Sequence, residues 1–212
     1  SEIILISILS FILLFCVPFA LVNNVRATAI EQFLTIIEQR TFQTDALMTI
    51  ATTSSQPLNY QGRLTMCGNK FKVNIFGIEA AYDGNTLYMY SEDTDELTLS
   101  SPTSSELTEV NPFFFACELV KVCNVTEHEG TVDANGAKGT IITLTPKDAS
   151  SVGISRCVLR LDAQWLPLSI EIKEPKKTTS LTFRHPVYLT DIEGQAINYT
   201  INYPEVFIND LR

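Results

Sequence analysis

The sequence predicts a mainly β protein with helices, an α+β fold whose centre is a curved antiparallel sheet. Apolar and polar residues alternate with a period of two through most of the chain, a pattern typical of strands that bury one face. Turn signals such as Asp83-Gly84-Asn85 and Asn135-Gly136 recur at short intervals, which favours successive hairpins over parallel βαβ units. Two short segments with helical character interrupt the alternation, so we expect helices packed against the sheet.

The composition argues against several functional classes. The 212 residues include 15 Lys and Arg against 24 Asp and Glu, and the net charge of −9 disfavours binding to nucleic acid or anionic membrane surfaces. The sequence has only two histidines and lacks the G-x-S-x-G motif of serine hydrolases. We therefore expect no enzymatic activity, no catalytic or metal-binding residues and no cofactor.

An uncharged apolar stretch covers residues 3–22 and predicts an export segment or a membrane anchor. The tripeptide Ala-Thr-Ala at 27–29 has the small-residue spacing that signal peptidase recognises, so we expect cleavage after Ala29. Residues 1–29 would then be a signal peptide, and residues 30–212 a single exported domain. A retained anchor is the alternative.

Four cysteines follow this segment: Cys67, Cys117, Cys123 and Cys157. An oxidising compartment permits disulfides between them, and buried, reduced thiols are the alternative. None of their spacings is C-x-x-C, which argues against a redox or zinc motif.

Two segments predict helices. Residues 30–40 place apolar side chains at i, i+3, i+4 and i+7, which predicts one amphipathic helix. Residues 111–119 begin with Asn111, a favoured N-cap residue, and Pro112, a favoured first helical residue. The apolar residues that follow are too dense for a strand with one dry face, so we expect a short, phenylalanine-rich helix.

Clear alternation predicts four strands, each with one dry face. They are residues 71–75, 168–173, 181–184 and 197–203. Apart from the two helices, we expect the remaining chain to form a long meander of strands joined by turns. The sequence contains no internal repeat.

Glu127-His128-Glu129 is the strongest candidate for a metal-ligand cluster. In an extended segment, however, the two carboxylates point to one side and the imidazole to the other. We therefore do not expect these side chains to converge on a metal ion. The second histidine, His185, precedes Pro186 and has no candidate nucleophile nearby in the sequence.

The apolar surface is the remaining candidate for a function. Either the helices plug a curved sheet and all of it is core, or the sheet curves into an open barrel with a helical lid over a cavity for hydrocarbon. In the second case, side chains of both helices and of one sheet face would contact acyl chains. These are Phe33, Leu34, Ile37, Phe71, Val73, Ile75, Leu87, Met89, Phe113, Phe114 and Phe115. Alternation does not decide the face, because Tyr88 and Tyr90 could point inward instead.

Four short motifs occur in a recognisable order. They are YDGNTLYMY at 82–90, similar to a D-G-x-T-L-W-x-Y hairpin strand; NPFFF at 111–115, in the place of a Pro-Phe helix; LTPK at 144–147; and INYPEVFIND at 201–210, similar to F-x-P-x-x-V-x-x-D. Each motif is unspecific alone. Together they cover most of the chain after the export segment, which resembles the periplasmic outer-membrane lipoprotein carrier family, LolA and its LolA-like relatives.

The resemblance implies an incomplete β-barrel closed by a helical lid, in a monomeric periplasmic protein of a Gram-negative bacterium, without enzyme activity or cofactor. It also implies that the protein takes acylated lipoproteins from an inner-membrane lipoprotein-releasing transporter and passes them to an outer-membrane lipoprotein receptor. One departure lies at residues 66–70 (MCGNK), which lack the Arg-Pro pair of the family; its arginine is thought to tie the lid shut. A lipid- or lipoprotein-sensing regulatory domain of the same shape is the alternative function, and a structural β protein with a solid core is a third.

Overall fold

The computed structural model describes residues 28–75, 77–104, 106–107, 111–148 and 153–212. The predicted export segment lies outside these residues, except for Thr28 and Ala29. Within the described ranges, no helix combines the length and the apolar character needed to cross a bilayer.

The helices that the structure delimits are α1 (Ala29–Gln39), α2 (Pro112–Val122) and α3 (Asp191–Gln195). The strands are β1 (Phe42–Thr52), β2 (Leu58–Cys67), β3 (Lys70–Ile75), β4 (Ile78–Tyr82), β5 (Leu87–Ser91), β6 (Glu96–Ser100), β7 (Cys123–Thr131), β8 (Lys138–Pro146), β9 (Arg156–Asp162), β10 (Pro167–Lys173), β11 (Lys177–Tyr188) and β12 (Phe207–Asp210). The predicted strands at 71–75, 168–173 and 181–184 fall within β3, β10 and β11 and are confirmed.

The described strands form one sheet in the order β12-β6-β5-β4-β3-β2-β1-β11-β10-β9-β8-β7. Strands β1 to β6 form one antiparallel meander and β7 to β11 a second, which confirms the predicted succession of hairpins. The meanders join where β1 pairs with β11, with Phe42 opposite Tyr188. Strand β12 returns to pair in parallel with β6, so β12 and β7 are the two edges of the sheet.

The sheet is open and strongly curved. Helix α1 contacts both β2 and β8, although four other strands separate these two in the sheet. In a flat sheet they would lie about 24 Å apart at roughly 4.8 Å per strand, whereas an 11-residue helix is only about 16 Å long. The sheet therefore wraps around the helix without closing, which confirms the predicted incomplete barrel covered by helices.

Helix α1 confirms the predicted amphipathic helix. Its N-cap is Thr28, whose hydroxyl accepts a hydrogen bond from the Glu31 N–H, while the Glu31 carboxylate accepts one from the Thr28 N–H at 2.9 Å. This reciprocal capping box satisfies two backbone donors at the start of the helix. The buried side chains of Ile30, Phe33 and Ile37 face the sheet.

Helix α2 is the predicted phenylalanine-rich helix. Asn111 is its N-cap, and the Asn111 Oδ1 accepts a hydrogen bond from the backbone N–H of Phe113 at 2.9 Å. Pro112 lies in the first turn, where its missing N–H leaves no hydrogen bond unmade. The helix leads directly into β7 at Cys123, so its C-terminal end is fixed to an edge strand.

The sheet has an inner face, which α1 and α2 cover, and an outer face. The buried side chains of Phe71 on β3 and Leu87 on β5 point to the inner face and join the main core with both helices. Tyr88 and Tyr90 point to the outer face, so the alternative that placed them inward is wrong. They pack against a small outer cluster of Ala81, Leu97, Leu99 and Ile201.

Residues 197–203 form no strand, so the prediction for this segment is wrong. The segment crosses the outer face, where Tyr199 and Ile201 are buried. Alternation reports which side chains are buried, and here burial comes from packing onto the sheet and not from a neighbouring strand. The segment then leads to the short parallel strand β12.

Cys67, Cys117, Cys123 and Cys157 are free thiols in this structure. Cys123 and Cys157 are buried in the main core, and burial raises the pKa of Cys157 to about 12. A thiol held protonated in this way is a poor nucleophile, so Cys157 acts as an apolar core residue.

Candidate functional site

The structure brings together nine of the eleven side chains predicted for a hydrocarbon site. Buried in one cluster are Phe33, Ile37, Phe71, Leu87 and Phe113, and partly buried against it are Leu34, Val73, Met89 and Phe115. Ile75, at the end of β3, is partly exposed and lies outside this cluster. The side chain of Phe114 lies outside what the structure describes. Contact of these residues with acyl chains stays a prediction.

Phe113 of α2 occupies the centre of the cluster. Its ring centroid lies 6.0 Å from that of Phe33 on α1, 5.7 Å from that of Phe42 on β1 and 5.5 Å from that of Phe183 on β11. Phe113 stacks on Phe183 and meets Phe42 edge-on, and both arrangements are favourable for aromatic rings. A single side chain therefore links both helices to the two strands where the meanders join.

A cleft of about 250 Å³ lies between α1, α2 and the turn that joins β2 to β3. The apolar side chains that line it are Leu34, Ile37, Met66 and Phe113, and its other lining residues include Gly68, Asn69 and Cys117. Met66 and Phe113 belong to the main core and are almost completely buried. The cleft therefore leads from the surface directly to the apolar contact between helices and sheet.

Two carboxylates also line this cleft, Glu38 of α1 and Glu118 of α2. Glu38 is exposed, and Glu118 pairs with Lys121, whose Nζ lies 2.6 Å from the Glu118 Oε1. Burial raises the pKa of the Cys117 thiol; Glu118 and Glu38 raise it further and Lys121 acts in the opposite direction. Both carboxylates therefore influence the interior of the cleft electrostatically.

Glu127 of β7 holds the N-terminal end of α1, a role that the sequence analysis missed. Its carboxylate oxygens accept hydrogen bonds from the backbone N–H groups of Ala29 and Ile30, both at 2.9 Å. These donors have no partner inside the helix, and a carboxylate is favoured at a helix N-terminus. The signal was available, because alternation places Glu127 on the same side of β7 as the buried Cys123.

The C-terminal end of α1 is held as well. The backbone N–H of Gly68 donates to the carbonyl oxygen of Ile37 at 3.0 Å, and Gly68 has a φ of 56°, which favours glycine. The Arg40 guanidinium lies 4.4 Å from the ring centroid of Tyr188, whose hydroxyl donates to the Trp165 carbonyl oxygen at 2.8 Å. Helix α1 is therefore fastened to the sheet at both ends.

A polar network lies on the opposite, outer face. The buried carboxylate of Glu79 on β4 receives the Lys72 ammonium at 2.7 Å and a hydrogen bond from the Tyr203 hydroxyl at 2.6 Å. Burial alone would raise the pKa of Glu79, but the bonds from Lys72 and Tyr203 lower it below its ordinary value. The network fastens the segment after α3 to the outer face and takes no part in the cleft.

Among the residues that the structure describes, no group of three His, Cys, Asp or Glu side chains could hold a metal ion. The Glu127 carboxylate accepts hydrogen bonds from the backbone of α1, so the side chains of Glu127-His128-Glu129 do not form a set of metal ligands. His185 is exposed, and its Nδ1 lies 3.9 Å from the Asp45 Oδ2.

No protein-family model matches the chain, and no curated protein matches its sequence. Among solved structures, the chain is similar to an uncharacterized conserved protein from Thermus thermophilus, with a TM-score of 0.58 and 10% identity over 86% of this chain and 99% of that one. This likeness shows a shared fold.

Other structural neighbours include a lipoprotein and a LolA superfamily protein. One is the lipoprotein LppX of Mycobacterium tuberculosis, with a TM-score of 0.47 and 17% identity over 81% of this chain and 96% of that one. The other is a LolA superfamily protein from Nitrosomonas europaea, with a TM-score of 0.37 and 13% identity over 78% of this chain and 95% of that one.

Proposed function

We propose that this protein is a periplasmic carrier that binds the acyl chains of lipoproteins between its two helices and the inner face of the sheet. The observation that carries the proposal is the apolar cleft between α1 and α2, which leads to the core around Phe113. The order of sequence motifs supports the same function.

The described structure fits the closed state of such a carrier. Its cleft of about 250 Å³ is smaller than the roughly 300–1,000 Å³ of typical ligand pockets. An acyl chain therefore enters only if α1 and α2 move away from the sheet, so that Phe113 of α2 exchanges its contacts with α1 and the sheet for contact with lipid. This is a two-state exchange, in which the ligand stabilises the open arrangement.

The energetics favour a carrier for such cargo. Transfer of a hydrocarbon chain from water to an apolar site gains about 0.8 kcal/mol per CH₂, or roughly 12 kcal/mol for a chain of sixteen carbons. Free diffusion of an acylated protein through an aqueous compartment is therefore prohibitive. The net charge of −9 favours solubility of a protein with exposed apolar surface in its open state.

The path of the cargo follows from the resemblance. The protein would receive lipoproteins from an inner-membrane lipoprotein-releasing transporter, pass them to an outer-membrane lipoprotein receptor, and act as a monomer. The family's arginine is missing at residues 66–70, and Gly68 in that segment bonds to α1 instead. This supports a lid whose closure depends on backbone hydrogen bonds and on Glu127.

Leu34→Asp tests the proposal, because it places a charge in the lining of the cleft. Thr35→Asp is the matched control, since Thr35 is exposed on the next position of the same helix. Purified protein is added to spheroplasts, and released lipoproteins are measured by immunoblot. We expect the wild type and Thr35→Asp to release lipoproteins and Leu34→Asp to release at least tenfold less, with melting temperatures of the two variants within a few degrees.

Two results would contradict the carrier function. Equal release by Leu34→Asp and Thr35→Asp would show that the cleft does not bind cargo and that the interior is solid core. Recovery of the protein only in the inner-membrane fraction, with residues 1–29 still attached, would favour the lipid-sensing regulatory function, because a tethered protein cannot shuttle.

A further inference from the structure

The charges around the cleft restrict the head group that an apolar ligand can carry. Glu38 lies in the last turn of α1, where the helix dipole is negative and a carboxylate is unfavourable for the helix itself. The last turn contains no basic residue that would offset it. Helix stability therefore does not explain this carboxylate.

The cations near the cleft either interact with other groups or line another cleft. Lys121 pairs with Glu118 at 2.6 Å, the Arg40 guanidinium lies over the ring of Tyr188, and Lys70 lines a different cleft with Tyr199. Within the described part of the chain, no lysine or arginine lies within ion-pair distance of Glu38. The cleft is thus lined by one carboxylate with an ion-pair partner, Glu118, and one without such a partner among the described residues, Glu38, beside an apolar interior.

We infer that the cleft selects amphiphiles that carry a protonated amine next to the hydrocarbon chain, with Glu38 as the residue that recognises the amine. The inference rests on the proposed function and adds a head-group preference to it. Two kinds of cargo have this chemistry: a simple alkylamine, and a lipoprotein whose acylated N-terminal cysteine keeps a free α-amine. An anionic head group would face repulsion at the same place.

Binding of three amphiphiles with equal chains tests the inference: dodecylamine, dodecanol and dodecanoate, each below its micelle concentration. Affinities are measured by isothermal titration calorimetry at pH 7 and low salt, where dodecylamine is protonated and dodecanoate is ionised. We expect dodecylamine to bind about tenfold more tightly than dodecanoate, with dodecanol between them, because an exposed charge contact contributes modestly. In Glu38→Gln the difference should fall below about threefold.

A matched control separates Glu38 from the overall negative charge. Asp93→Asn and Glu205→Gln remove one charge each from exposed positions that do not line the cleft, and both variants should keep the wild-type preference. A second pair of ligands, a diacylated lipopeptide with a free α-amine and its N-acetylated form, distinguishes the two kinds of cargo. Preference for the free amine in this pair would assign the recognition to lipoproteins, and its absence would assign it to simple amines.

The outcomes separate the two proposals. Equal affinity for the three amphiphiles, or an unchanged preference in Glu38→Gln, would overturn the head-group selectivity and leave the carrier function intact. Absence of binding by all three amphiphiles and by both lipopeptides would overturn the carrier function as well. Glu38 is exposed, so the variant is expected to fold, and its melting temperature verifies this.

Discussion

The Oε1 atom of Glu127 on β7 accepts a hydrogen bond from the backbone N–H of Ile30 on α1 at 2.9 Å. The other carboxylate oxygen accepts from Ala29 at the same distance. An edge strand thereby holds the first turn of a helix that must move if the inner face is to receive a ligand. In the proposed carrier, these two bonds would therefore oppose opening.

Glu127→Ala should loosen α1 without removing any of its apolar contacts. Hydrogen bonds to a charged group contribute about 1.5–3 kcal/mol, and we expect a loss of unfolding free energy at the lower end of that range, because one bond is exposed and the other only partly buried. Amides of α1 should exchange hydrogen faster, and the affinity for an acyl chain should rise because the closed state is destabilised relative to the open one.

Glu129→Ala is the control for this change, because Glu129 lies two residues further along β7, is exposed and makes no bond to α1. Hydrogen exchange followed by mass spectrometry compares the two variants. If α1 exchanges at the wild-type rate in Glu127→Ala, Glu127 does not hold the helix.

Thr28→Ala should also destabilise the first turn of α1, because it removes the side chain of the N-cap residue. Loss of an N-cap hydroxyl costs about 1 kcal/mol, because the Glu31 backbone N–H loses its acceptor, while the backbone N–H at position 28 still donates to the Glu31 carboxylate. Cleavage after Ala29 would remove this cap and the Ala29 N–H that bonds to Glu127, so a chain that begins at Ile30 should be destabilised at least as much.

Urea unfolding checks this prediction on three chains: one that begins at Thr28, its Thr28→Ala variant, and one that begins at Ile30. Thr35→Ala is the control for loss of a threonine hydroxyl elsewhere on the same helix. A chain beginning at Ile30 that matches the stability of one beginning at Thr28 would show that the cap is dispensable. It would also remove the structural objection to processing at Ala29.

The sequence predicted the two helices and the hairpin strands because each depends on local periodicity and on capping residues such as Asn111. It could not predict the pairing of β1 with β11, since residues far apart in the chain meet there and no local pattern encodes the match. The same limit explains why the alternation of residues 197–203 predicts a strand that the structure does not contain.

The same distinction between local patterns and long-range contacts applies to the site residues. Phe33, Phe71 and Phe113 were predictable from dense apolar patterns on helices and strands. Glu38 was not predictable, because an acidic residue on an amphipathic segment is usually solvated and only the fold shows that it stands beside an apolar cleft. For Glu127, alternation indicates the side of β7 on which it lies, but only the fold shows which helix end it meets.

Phe113→Ala should be much more destabilising than Phe115→Ala. Phe113 is almost completely buried between three other aromatic rings, and such a truncation costs about 3–5 kcal/mol, whereas Phe115 is only partly buried. The cavity that remains adjoins the cleft, so an acyl chain should fill it. We therefore expect dodecanol to raise the melting temperature of Phe113→Ala more than that of Phe115→Ala. Equal stabilisation of both variants would separate the cleft from the Phe113 cluster.

Glu79→Gln should change the acid stability of the protein through the outer face alone. Because the folded pKa of Glu79 lies below its ordinary value, its contribution to stability is complete above the unfolded carboxyl pKa of about 4.3 and is lost as the pH falls through the folded pKa. The variant should lose about 1–3 kcal/mol at pH 7, where the Lys72 ammonium loses its partner, and progressively less below about pH 4.

At the alkaline end the sign is reversed. The hydrogen bond to Glu79 raises the pKa of Tyr203 to about 12, so the stability from this tyrosine is present below about pH 10 and is lost as the pH rises through its folded value. Urea unfolding from pH 3 to pH 11 of the wild type, Glu79→Gln and Tyr203→Phe measures the loss of stability toward both acid and alkaline pH. Glu205→Gln is the control for loss of an exposed carboxylate. The curves of wild type and Glu79→Gln should converge toward pH 3. Because the network lies on the face away from the cleft, all four proteins should bind dodecanol alike at pH 7, and a loss of binding in Glu79→Gln would show instead that the outer-face segment and the helices move together.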